Sequence, residues 1–65
     1  PLGYYLLALA HHLNGDQAAA EQNISAGARL ELQHPIADWG RAMQRCQGRP
    51  RLWLERARNR AKKDR

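Results

Sequence analysis

The sequence predicts an all-α fold: four helices, at about residues 3–13, 16–33, 36–47 and 51–61, arranged as two antiparallel helical hairpins. Three observations carry this. Leu2, Leu6, Leu9 and Leu13 recur at steps of three and four, the spacing of one helical face. Asn14-Gly15-Asp16, His34-Pro35 and Gly48-Arg49-Pro50 are stop-and-restart signals that divide the chain into helix-length pieces. No segment alternates apolar and polar residues with period two, so no strand is expected.

The first helix carries a second stripe, Tyr4, Leu7, Ala8 and His11, beside the leucines. It is therefore apolar over most of its circumference. Such a helix is buried on several sides, or something outside the chain covers it. The apolar run from Leu2 to Ala10 stops at His11 and His12, well short of the ~20 residues of a membrane span. Gly15 is free to take the left-handed conformation that ends a helix, and Asp16 can cap the next one.

In the second helix Ala18, Ala19 and Ala20 favour helix with little bulk. Ala20, Ile24, Gly27, Ala28 and Leu32 form its expected inner face. A glycine inside a helix costs about 1 kcal/mol relative to alanine, so Gly27 implies close approach of the first helix. Pro35 then opens a third helix, about Ile36 to Gln47, with Ile36, Trp39, Met43 and Cys46 or Gln47 inward. The fourth starts near Arg51, with Leu52, Trp53, Leu54, Ala57 and Ala61 as its apolar residues. From Arg58 onward the chain is nearly all charged, so one domain over 1–58 and a frayed basic tail over 59–65 are expected.

The opening motif has a recognisable spacing. Tyr4, Leu7, Ala8 and His11, then a Gly15-Asp16 turn, then Ala20 and Ile24 with a later Pro35, resemble one tetratricopeptide repeat. Trp39, Ala42, Met43 and Cys46 resemble the start of a second, looser one, and Trp39 lies 35 residues beyond Tyr4. In the tetratricopeptide pattern small residues let helices touch and large ones fill the space between. The resemblance implies two stacked hairpins in a tetratricopeptide-type array that recognises a protein or peptide. Two such hairpins leave an apolar face uncovered, so the partner is expected to be a second copy or the rest of a larger array.

Charge is divided unevenly. Residues 1–34 hold Arg29 against Asp16, Glu21 and Glu31, a net −2; residues 35–65 hold ten Lys and Arg against Asp38, Glu55 and Asp64, a net +7. Such asymmetry points to contact with nucleic acid or with an anionic surface. The leading expectation is a non-enzymatic protein-interaction or scaffold module, with Tyr4, Tyr5, Leu9 and His12 on its contact face. The alternative is a nucleic-acid binder using Arg49, Arg51, Trp53, Arg56, Arg58, Arg60, Lys62, Lys63 and Arg65.

Other chemistry finds little support. Adjacent helical residues point ~100° apart, so His11 and His12 cannot both reach one ion, and no metal or cofactor is expected. A Cys46–His34 pair lacks a group to orient the base. Asn23-Ile24-Ser25 matches a glycosylation sequon but lies within a helix with Ile24 inward. No paired carboxylates or phosphate loop suggest catalysis. The single thiol, Cys46, excludes an internal disulfide and suits a reducing compartment, which favours the cytoplasm.

Overall fold

A computed structural model describes residues 1–63, and these are all-helical apart from turns. Four helices follow one another: α1 Leu2–Leu13, α2 Gln17–Glu31, α3 Trp39–Ala42 and α4 Arg49–Lys63. α1 and α2 form an antiparallel hairpin, and α4 packs against both. No helix among the described residues is long and apolar enough to cross a membrane.

The first turn forms as its residues dictate. Gly15 takes φ +83°. Its N–H donates to His12 O at 3.0 Å, and the Asp16 N–H donates to His11 O at 2.9 Å. These two bonds satisfy carbonyls that the end of α1 would otherwise leave open, in the paired pattern of a Schellman motif. The Asp16 carboxylate then accepts from the Ala19 N–H at 3.1 Å and caps α2. One short segment therefore closes α1 and opens α2.

Small residues bring the hairpin together. Ala8, Ala20 and Ala28 are fully buried. A Cβ on Gly27 would meet Tyr5 Cε1 at 3.1 Å and Tyr4 Cβ at 3.2 Å. That is the packing reason the sequence implied for a glycine at this position. The core then forms from Tyr5, Ala8 and Leu9 of α1, Ile24 of α2, Met43 and Leu54, with Ile36, Trp39, Cys46 and Trp53 half-buried against it.

Three expectations change. The third helix does not run from Ile36 to Gln47; only one turn, Trp39–Ala42, is helical. Asp38 captures the Arg41 N–H at 3.0 Å and so sets the start at Trp39, three residues beyond Ile36. Gly40 weakens the middle, and after Met43 the chain continues in turns. The expected inward residues Ile36, Trp39, Met43 and Cys46 nevertheless all reach the core. The second pair of helices is thus unequal: α3 contributes one turn and α4 supplies the packing.

In α2 the expected inner residue Leu32 is exposed, and Glu31 takes its place in the interior. The stripe Ala20, Ile24, Gly27 returns to the same face at residue 31, whereas Leu32 already lies at the helix end. In α4, Gly48 takes φ +79° and the helix begins at Arg49, with Pro50 in its first turn. Within the described residues the helix runs past Arg58 to Lys63. Arg65 and the end of the expected tail lie outside the described residues.

Candidate functional site

The contact residues expected from the sequence divide between two sides of α1. Tyr5 is fully buried and Leu9 nearly so. His12 is half-buried, its ring stacked on Trp53 with centroids 4.0 Å apart and planes 7° from parallel. His12 Nδ1 also lies 2.6 Å from Gln17 Oε1. Tyr5 and Leu9 belong to the core, and His12 keeps part of its surface open. Trp53 gives one face of its ring to this stack. Of the four expected contact residues only Tyr4 faces out.

The open face of α1 lies opposite. Tyr4 is 43% exposed, Leu6 41%, Leu7 50% and Leu13 64%. Gly3 and Ala10 are exposed among them. Spaced at three and four residues, these positions share one side of the helix, about half its circumference. That side carries no charged residue. At roughly 200 Å² for a fully exposed large side chain, the four large residues leave about 400 Å² of apolar surface open. A contiguous patch of that size sits at the level where monomer surfaces mark a contact site.

The basic residues also divide. Three are tied to carboxylates. Arg58 donates from Nε to Glu31 Oε1 at 3.0 Å and from Nη2 to Glu31 Oε2. Lys62 Nζ reaches the same Oε2 at 3.5 Å. The Tyr5 hydroxyl donates to Glu31 Oε1 at 2.6 Å. The Arg58 guanidinium lies 4.2 Å from the centre of the Trp39 ring, and that ring meets Tyr5 edge-on at 5.5 Å. Arg51 donates from Nε to Glu55 Oε2 at 3.0 Å, and Trp39 Nε1 donates to the same oxygen at 3.1 Å.

This network shifts its acids and its phenol. Hydrogen bonds from Arg58, helped by the Tyr5 hydroxyl, outweigh burial and lower the Glu31 carboxyl to about 2. Burial, then the Glu31 carboxylate, holds the Tyr5 hydroxyl well above its ordinary value. The Arg51 guanidinium, then the Trp39 indole, holds Glu55 below the usual carboxylate range. The sequence signals for Glu31 were weak, because its partners lie 27 and 31 residues away on another helix.

The remaining described cations of α4 are Arg49, Arg56, Arg60 and Lys63, all exposed. None has an acidic partner within ion-pair distance among the described residues. Between α2 and α4 lies a groove of about 230 Å³, with Ile24, Trp53 and Ala57 in its lining and Glu21 and Arg60 beside them. It is smaller than the roughly 300–1,000 Å³ of typical ligand pockets. No three His, Cys, Asp or Glu among the described residues converge as a metal site. Asn23 of the sequon donates its amide to Ala19 O at 2.8 Å. Comparison with protein families, with curated proteins and with solved structures gave no match for this chain.

Proposed function

We propose that this chain is a non-enzymatic protein-interaction module of tetratricopeptide type, and that its contact surface is the outer face of α1. The observation that carries the reading is the uncharged apolar side formed by Tyr4, Leu6, Leu7 and Leu13. The motif spacing adds support. Tyr4 and Leu7 occupy positions whose large side chains fill space between helices in the repeat, yet here they are about half open. A neighbouring helix from outside the chain would complete them.

The first occupant to test is a second copy. Two such faces would bury about 800 Å², the low end of specific contacts, so the association is weak and reversible. Sedimentation equilibrium over about 10–500 µM should show mass rising with concentration. Leu7→Glu should abolish the rise while leaving the circular dichroism spectrum intact, because exposed substitutions usually shift stability by less than about 0.5 kcal/mol. Leu9→Arg, by contrast, should unfold the chain, since Leu9 is in the core. A wild-type chain that stays monomeric over this range, with melting independent of concentration, would overturn the self-association reading.

A further inference from the structure

The free cations of α4 form a pattern that the protein-contact reading does not use. Arg49, Arg56, Arg60 and Lys63 are separated by seven, four and three residues. At 3.6 residues per turn these four fall within about 60° of one another on a single side of the helix. The row is about 21 Å long at 1.5 Å per residue. Leu54, Ala57 and Ala61 face the core, and the row lies on the exposed side of α4, with Arg60 at the edge of the groove to α2. The other cations of α4 within the described residues, Arg51, Arg58 and Lys62, are bonded to Glu55 and Glu31. The helix thus separates structural cations from free ones.

We infer that the outer face of α4 binds the phosphate backbone of double-stranded nucleic acid through Arg49, Arg56, Arg60 and Lys63, with little sequence preference. Charge complementarity supplies the argument. Four cations without an acidic partner among the described residues, in a straight row, match a polyanion, and arginine, three of the four, pairs with phosphate in a bidentate way. Backbone contacts position a protein without reading bases. A single strand is less well served, because it needs a series of aromatic platforms and α4 carries one aromatic ring, Trp53, with one face already on His12. A membrane surface needs an apolar side to insert, and the apolar side of α4 is packed on α1 and α2. An interface with an acidic protein needs a buried anchor, and the row offers only Leu52.

The experiment is a salt titration of the full chain with a mixed-sequence DNA duplex. Four phosphate contacts predict a slope of log affinity against log salt near −3.6, a loss of about 150-fold between 50 and 200 mM. Arg56→Gln should reduce the slope by about 0.9. Arg29→Gln makes the same charge change on an exposed residue of α2 and should leave the slope unchanged. Circular dichroism confirms that each variant is folded. Absence of binding at 50 mM salt would overturn the inference. So would equal effects of Arg56→Gln and Arg29→Gln, which would mean diffuse attraction by net charge. Tighter binding to phosphatidylserine vesicles than to the duplex, lost in Arg56→Gln, would assign the row to a membrane instead.

Discussion

A carboxylate that is 6% exposed must be matched by cations or lose its charge, and Glu31 is matched by Arg58 and Lys62. Removing one partner of a buried pair is far more damaging than replacing both. Glu31→Gln should therefore destabilise the fold by about 3 kcal/mol, because Arg58 would stay buried beside Trp39 without its anion. Glu55→Gln should cost less than about 1 kcal/mol, since the Arg51–Glu55 pair is about one-third exposed and screened by water. Urea denaturation of the two variants measures the difference. The acid limb follows with the same sign. The Glu31 carboxyl is lowered from 4.5 to about 2, so the stability it provides is complete above 4.5 and is lost as pH falls from there through about 2. Glu31→Gln should flatten the decline of stability over this window. An acid limb identical in both proteins would show that Glu31 is not what the low pH undoes.

At the scale of elements, α1 and α2 were legible because their signals are local. Gly15 and Asp16 close one helix and cap the next through bonds within a few residues. Gly27 announced close contact, and the ring and Cβ of two tyrosines stand where its side chain would be. This makes a testable conflict of magnitudes. Gly27→Ala gains about 1 kcal/mol of helix propensity. Overpacking in a filled core costs about 1–3 kcal/mol. Tyr5 cannot move aside readily, because its hydroxyl is held by Glu31 and its ring meets Trp39. The variant should be destabilised, with a lower urea midpoint, and Gly27→Leu much more so. A midpoint raised by Gly27→Ala would mean that the tyrosines shift easily. The later elements were less legible. The periodicity of residues 36–47 identified which side chains face the core but not that Asp38 and Gly40 reduce the helix to one turn. The continuation of α4 was hidden because Arg58 and Lys62 read locally as a charged tail. Their partner is Glu31, and only the tertiary fold brings it near.

For the whole molecule, size and arrangement set the terms. Among the described residues only three large side chains, Tyr5, Met43 and Leu54, are fully buried, a small core for a chain of 65 residues. Outside contact at α1 would add to a marginal stability. α1 and α4 both give residues to the shared core, and their exposed faces belong to different helices. The apolar face of α1 has no charge to repel a second copy, and the free cations of α4 lie on a different helix. Energetic coupling between sites without shared partners is usually within about 0.3–0.5 kcal/mol. Leu7→Glu should therefore change association and leave the salt slope per chain as it was. Arg56→Gln should change the slope and leave association as it was. The double variant, followed by sedimentation and by duplex titration in the same buffer, should show both changes at their single-variant sizes. A salt slope that falls when only Leu7 is changed would join the two faces into one surface, and the separation of roles between α1 and α4 would be wrong.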